Sequence, residues 1–237
     1  MDKQVLQLTR AEYTTAKANR TLVCPNLCKI TDENNHTEKL MNNPKADIGI
    51  ATYESGQIKF YSAEEYAALA VKPTVLGDYM LTEEKIILIH PEVNASVKWS
   101  GSTPLTVPGC YPDYPDHPSS YLLDMKGPEN SAAVLAAVED GLIANAPAFT
   151  WASQRVWADG YTGGYVLAAG EQEIARLNAI ALNQCRSLHN ADPIFASGKW
   201  YWSSSQNGAN YSYYCQLSSW GNYGKDGTIC CLAARAL

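Results

Sequence analysis

Charge is what this 237-residue sequence is shortest of: Asp, Glu, Lys and Arg make up 18% of it, against about a quarter in an average globular chain. Its surface must therefore rest on neutral polar groups. The net charge is −6, without the basic excess that non-specific binding to nucleic acid or anionic lipid requires. No apolar run approaches the roughly 18 residues of a membrane span. These absences imply no nucleic-acid partner and no membrane insertion. The opening Met1-Asp2-Lys3-Gln4-Val5-Leu6 carries no apolar signal segment, which predicts assembly without Sec-type export. Internal repeats and low-complexity tracts are missing as well. So is a disulfide framework: the cysteines number seven, and Cys230 and Cys231 are neighbours, between which a bridge is strained. Reduced thiols are the better reading. Cys24-x3-Cys28 with His36 lacks a fourth metal ligand and fits no common zinc spacing. No cofactor is implied.

Hydrophobic residues make up 46%, enough for a packed core in one large domain, or in a medium one with a smaller partner. Thr9-Arg10-Ala11-Glu12 has capping-box spacing and predicts a helix to about Asn19. A polar stretch from Pro25 to Pro44 then reads as a linker, placing a boundary between an N-terminal module, 1–45, and a main domain, 46–237. Ile48 and Ile50, then Ile58 and Phe60, flank Glu54-Ser55-Gly56 and predict a β-hairpin. Ser62-x-x-Glu65 is a second capping box, opening a helix to about Ala70 that Pro73 stops. Lys85 to Ile89 reads as a strand ended by Pro91. Five prolines between Pro104 and Pro118 forbid helix and predict a long loop. Asp113, Asp116 and His117 there offer metal-ligand chemistry, but nothing nearby completes a site, and a polar loop tip is the plainer reading. Helices are predicted over Ser131 to Asp140, with Val134, Leu135 and Val138 on one face, and over Glu171 to Gln184, with Ile174, Leu177 and Ala181 on one face. Glu171 and Glu173 lie in the first turn of the latter, where the helix dipole favours carboxylates. Gly160-Tyr-Thr-Gly163-Gly164 reads as a turn into the strand Tyr165-Val166-Leu167.

Composition shifts sharply near the C-terminus. Of the 29 residues from Trp200 to Thr228, six are Ser, five Tyr, four Gly, three Trp and three Asn, and only Lys225 and Asp226 are charged. Tyr and Trp give wide contact area with few rotatable bonds, while Ser, Gly and Asn give adaptable hydrogen bonding. That is binding-surface chemistry. Aromatics also fill strand cores, so Trp200, Tyr201 and Trp202 read as largely structural. Period-two alternation assigns Tyr213, Cys215 and Leu217 to the core and Tyr214 and Gln216 to solvent. Core filling alone leaves the cluster of Asn207, Asn210, Ser218, Ser219, Asn222 and Tyr223 without a reason.

Gly164-Tyr-Val-Leu-Ala-Ala-Gly-Glu171, then Tyr201-Trp-Ser-Ser-Ser-Gln206, and a closing Ala233-Ala-Arg-Ala-Leu237 resemble the C-type lectin-like domains of variable proteins diversified by retroelements. That group includes phage tail-tip tropism determinants and related bacterial surface proteins. The resemblance covers about 46–237. It implies an α+β, C-type lectin-like fold, with short antiparallel sheets flanked by two helices and a ligand-binding C-terminal face. It also implies a variable region at about 200–231. Asn207, Asn210, Tyr211, Tyr214, Gln216, Ser218, Ser219, Trp220, Asn222, Tyr223, Asp226 and Thr228 match the ligand-binding variable surface, and Tyr201, Trp202, Ser203 and Ser204 the constant frame. Cys230 looks like a product of diversification. Leu232 departs from the family's repeated Arg-Ala ending, and the sugar-binding calcium motifs of the lectins are missing, so no metal is implied.

By this resemblance the chain is a receptor-binding display protein of a phage tail, assembled in the host cytoplasm and carried on the virion. Its implied partner is a host surface protein or glycan, with other tail proteins held through 1–45 and a homotrimer as the family's assembly. The alternative is a bacterial surface adhesin or lipoprotein domain of the same fold. An enzyme of the formylglycine-generating type needs a reactive cysteine pair, and Cys230-Cys231 comes without a general base. His90 and His189 read as lone structural histidines.

Overall fold

The computed structural model describes residues 47–82, 85–101 and 104–237 in full, and the backbone of Val5–Leu8 (β1) and Leu27–Ile30 (β2). β1 and β2 pair in parallel. The Thr9–Glu12 capping box and the Cys24, Cys28 and His36 side chains lie outside the described residues.

The remaining strands form one nine-stranded sheet. Asp47–Glu54 (β3) and Gln57–Tyr61 (β4) make the expected hairpin, turning through Ser55-Gly56 with both residues at positive φ. Ser62 caps Ala63–Ala68 (α1): its hydroxyl accepts the Glu65 N–H, and the Glu65 carboxylate accepts the Ser62 N–H. Thr74–Leu81 (β5) pairs with β3 and with Ile86–Lys98 (β6).

β6 does not stop at Pro91. The proline lies where Ile89 and Val93 of β6 face Ala234 and Leu232 of the last strand, so four steps on one strand meet two on the other. At such a bulge the ladder asks for no amide, which is why a ring without an N–H is tolerated mid-strand. The freed Pro91 carbonyl accepts Arg186 Nη2 at 2.6 Å.

Gly127–Glu139 (α2) begins four residues earlier than expected, with proline in its first turn. Pro147–Ser153 (α3) follows, unforeseen because seven residues are too few to show a period. After Tyr165–Val166 (β7), the predicted helix from Glu171 is two helices, Ala169–Leu177 (α4) and Ala179–Leu188 (α5), parted at Asn178. The break turns Leu177 away from the core, leaving it 45% exposed. Tyr201–Asn207 (β8), Tyr211–Gln216 (β9), Ser219–Gly224 (β10) and Thr228–Ala236 (β11) complete the chain.

The strand order is β10-β9-β8-β11-β6-β5-β3-β4, with β7 on β11 as well. All pairs are antiparallel except β8 with β11. β11 is the central strand and is buried on both faces. Cys230, Leu232 and Ala234 enter one apolar cluster with Ile174 and Leu182. Ile229, Cys231 and Ala233 enter another with Trp99, Phe149 and Trp202. This architecture corrects the lectin-like expectation. The sheet is a single large mixed one rather than several short antiparallel ones, and five α-helices among the described residues replace the expected two. The sequence motifs reported strand ends and turns, not how many strands one sheet would gather. Among the described residues no helix is long and apolar enough to cross a membrane.

Arg186 ties α5 to the sheet. Its guanidinium is fully buried and pairs with buried Asp78 of β5 at 2.7 Å, and Nε donates to the Asp192 carbonyl at 2.5 Å. His189 Nε2 contacts the other Asp78 oxygen at 2.9 Å. Removing one partner of such a pair strands a charge away from water. Arg186→Met is expected to lower the unfolding free energy by about 3–5 kcal/mol, measured by urea denaturation against the parent. A loss below about 1 kcal/mol would show that the pair carries little of the fold.

Candidate functional site

The Tyr/Ser/Asn-rich run folds as the hairpin β9–β10, whose strands meet in unbroken register from Ser219↔Gln216 to Gly224↔Tyr211. Leu217 and Ser218 form the two-residue connection. Alternation gives each strand two faces, and both faces are partly covered.

On the face towards α4, Cys215 is buried and Tyr213 stacks on Tyr121, with ring centroids 4.0 Å apart and an interplanar angle of 11°. Trp220 meets the same Tyr121 edge-on at 5.5 Å. Its indole N–H donates to Glu173 at 2.6 Å, and Arg176 grips both oxygens of that carboxylate at 2.6 Å. Arg176 Nη1 also donates to the Leu217 carbonyl at 3.0 Å. Helix α4 thus clamps the hairpin at its turn and at Trp220. Glu173 was expected near the helix N-terminus, and its work here is this clamp.

On the opposite face Tyr214 stacks on Trp200 at 4.7 Å and 12°, and Tyr223 meets Trp200 edge-on at 5.8 Å. Glycine makes room for both phenols. A Cβ at Gly221 would lie 2.6 Å from the Tyr214 hydroxyl oxygen, and one at Gly227 would lie 2.1 Å from Tyr223 Cε1. Each tyrosine lies flat over a glycine where any other residue would push it out.

The candidate surface positions sort by depth. Asn210, Tyr211, Ser218, Ser219, Asn222, Tyr223, Asp226 and Thr228 are exposed, while Asn207, Tyr214, Gln216 and Trp220 are half-buried. Gln216 Nε2 donates to Ser219 Oγ at 2.6 Å across the turn. Every residue of Tyr201–Gln206 is buried. Two assignments need correction. Leu217, expected in the core, is 46% exposed, because it occupies the turn where alternation ends. Cys230, read as a product of surface variation, is 4% exposed inside the sheet.

Cys230 and Cys231 face opposite clusters, and burial pushes both thiols up. That is the reverse of what thiolate chemistry requires. In the proline-rich loop, Asp116 pairs with Lys126 at 2.6 Å and His117 Nδ1 lies 2.9 Å from the Tyr114 carbonyl. Among the described residues, no three His, Cys, Asp or Glu side chains converge as metal ligands. His90 packs edge-on against Trp157 at 5.0 Å.

At the foot of the hairpin, a pocket of about 160 Å³ lies between Pro104, Asn210, Tyr211 and Asp226, with Lys225 behind it. In the sequence Lys225 is only one of two charges in this run, and nothing there marks it as interior. It is 3% exposed; Nζ donates to the Leu105 carbonyl at 2.8 Å and to Gln206 Oε1 at 3.0 Å, and lies 4.5 Å from the Trp99 ring centre. Among the described residues no carboxylate reaches it, and burial brings its pKa down from 10.5 to about 8. The ammonium fastens the β10–β11 turn to the loop leading from β6.

This buried cation has a pH signature. Below pH 8 the folded and unfolded chains both hold the proton, and the full cost of burying the charge stands. Between about 8 and 10.5 the folded chain has released a proton that the unfolded one keeps, so stability rises with pH through this group. Relative to Lys225→Met, the parent is expected to gain up to about 3 kcal/mol between neutral pH and pH of about 10. Urea denaturation of both proteins at each pH measures it, and the thiol titrations they share cancel in the difference. A flat difference would show that Lys225 keeps an ordinary pKa.

No protein-family model matches the chain, and no curated protein matches it. Among solved structures, the crystal structure of a fimbrial protein from Bacteroides ovatus is similar, with a TM-score of 0.56 and 13% identity over 81% of this chain and 49% of that one. The chain therefore spans about half the length of that protein, and at this identity the likeness is one of fold. The architecture resembles part of that fimbrial protein's fold, and this likeness takes the place of the lectin-like expectation.

Proposed function

We propose that this chain is a surface-recognition protein of adhesin type, which binds a partner through the β9–β10 hairpin and the adjoining pocket. One observation carries the reading. The twelve candidate positions between Asn207 and Thr228 are all exposed or half-buried, whereas the frame Tyr201–Gln206 beneath them is buried throughout. The exposed members of such a surface can change without disturbing its support. The fold likeness to a fimbrial protein supports placement at a bacterial cell surface, and no observation favours a phage tail over it. The partner is a protein or a glycan on another surface, and residues 1–45 serve as an attachment or oligomerisation segment. Diversification by a retroelement belongs to the same proposal, because exposed turn and strand positions tolerate replacement. Its genomic mark is a near-copy of the codons for 200–237, carrying adenine at the exposed sites, beside a reverse transcriptase gene.

The tyrosines differ in exposure, and the exposed ones are the proposed anchors. Tyr211 and Tyr223 are 49% and 39% exposed, and each anchor of this kind is worth about 2 kcal/mol or more at an interface. Tyr211→Ala and Tyr223→Ala are each expected to weaken binding of the labelled protein, across a panel of bacterial and epithelial cells and a glycan array, by roughly tenfold or more. The melting temperature of Tyr211→Ala should stay near the parent's, and that of Tyr223→Ala, which gives up its edge contact with Trp200, should fall by less than that of Tyr214→Ala. Tyr214→Ala, which opens a gap between Trp200 and Gly221, should lower stability instead. Undiminished binding by both exposed-tyrosine variants would sink the reading.

A further inference from the structure

β10 ends the sheet. β9 occupies its inner side, and among the described residues no strand pairs its outer side. Which backbone groups face outward follows from the turn. In an antiparallel ladder, facing residues alternate between pairs that exchange both hydrogen bonds and pairs that exchange none, and a two-residue connection sets an exchanging pair at its base. Counting from Gln216/Ser219, the pairs Tyr214/Gly221 and Ser212/Tyr223 exchange bonds, and Cys215/Trp220 and Tyr213/Asn222 do not. The Tyr213 carbonyl agrees with this count, since it turns from β10 towards β8 and accepts Ser203 Oγ at 3.1 Å. The peptide N–H and C=O of Trp220 and Asn222 therefore point out of the sheet.

Sheet edges are ordinarily blunted by lysine, proline, a bulge or a covering segment. The other edge, β4, carries Lys59, paired with Glu54 at 2.7 Å. Ser219-Trp-Gly-Asn-Tyr-Gly224 has no charge and no proline, and its register against β9 is unbroken. The edge is also held in place, by Arg176 on the Leu217 carbonyl and Glu173 on the Trp220 indole.

We propose that the outer edge of β10 receives an extended, uncharged peptide segment of a partner protein, which adds a strand to the sheet. This rests on the surface-recognition reading and names its partner as polypeptide. The donor and acceptor groups of Trp220 and Asn222 recur every second residue, a spacing of about 6.8 Å that an incoming antiparallel strand matches. An uncharged segment fits because Tyr211–Gly224 holds no charge and the adjacent Glu173 and Arg176 neutralise each other. Main-chain bonds supply affinity whatever the side chains are. Trp220 and Asn222 on one face, and Ser219 and Tyr223 on the other, then select among the partner's alternate side chains.

The test is to select random displayed peptides of about ten residues against the full chain, then follow amide exchange by NMR with and without a selected peptide. Uncharged, β-forming peptides are expected, and they should slow exchange at Trp220 and Asn222 by about tenfold or more. Asn222→Pro, which removes an outward amide and leaves the ladder bonds alone, should weaken binding by about tenfold or more, and Asn222→Ala by less than about threefold. N-methylation of alternate peptide nitrogens should abolish binding to the unaltered protein, a result that does not depend on any variant folding. Equal binding of the N-methylated peptide, protection at other amides, self-pairing of the chain through these amides, or no selected peptide would each overturn the inference. If that happens while the Tyr211 and Tyr223 variants still lose cell or glycan binding, the surface-recognition reading stands without it.

Discussion

The structure depends on a carboxylate that pairs with no cation among the described residues. Asp124 is fully buried, and each of its oxygens accepts two hydrogen bonds. Oδ1 takes the Tyr114 hydroxyl at 2.6 Å and the Lys126 N–H at 3.1 Å. Oδ2 takes Asn130 Nδ2 at 2.7 Å and Ser205 Oγ at 2.5 Å. Four donors fill the acceptor capacity of an ionised carboxylate, which is what makes burying it tolerable. They come from the proline-rich loop, the lead into α2, α2 itself and β8. One side chain thus fixes where a loop without regular hydrogen bonding meets the strand that supports the hairpin. Tyr114 feels the same carboxylate: burial first, then its bond to Asp124, pushes its phenol far above the ordinary range.

The strand reaching that carboxylate is itself irregular. Between Trp202↔Tyr214 and Gln206↔Ser212, three residues of β8 face one of β9. A bulge this large leaves backbone groups without ladder partners, and buried ones must be satisfied some other way. The Ser203 carbonyl accepts the Trp99 indole N–H at 2.9 Å, the Ser205 carbonyl accepts Ser212 Oγ at 2.7 Å, and the Ser204 N–H donates to the Leu167 carbonyl at 2.8 Å. Three consecutive serines suit this stretch because they are small enough to pack inside and carry hydroxyls that complete the accounting. Beyond the bulge, Gln206 bonds the Val107 N–H and carbonyl and receives Lys225. The polar core thereby runs from Asp124 to the foot of the hairpin.

Local signals in the sequence were legible where one short segment decides the outcome. The Ser55-Gly56 turn, the Ser62/Glu65 capping box and the structural role read for Tyr201 and Trp202 all correspond to observed features. Signals that depend on remote partners were not. Pro91 reads as a strand end until β11 is seen to meet it at a bulge. Asn178 does not announce a helix break, since the contacts of α4 and α5 with different parts of the sheet decide it. Lys225 carries no mark of burial, because nothing within several residues shows that Trp99 and Gln206 will close over it. The size of the sheet escaped for the same reason: each strand is local, but its place in the order comes from pairings as distant as Ile87 with Ala236, well over half the chain apart.

Alternation along β9 could not separate the tyrosines, and the reason is physical. A period-two reading assumes one covered face and one open one. Here α4 and Tyr121 cover one face of the hairpin while Trp200 covers the other, so Tyr213 and Tyr214 are both stacked although they point in opposite directions. Exposure concentrates instead at the turn, along the outer edge and at the foot near the pocket, where neither cover reaches. Under the proposed surface-recognition reading, recognition divides between two sources. Side chains at the margins can differ from one protein to another, whereas the outward peptide groups of β10 remain whatever those side chains become.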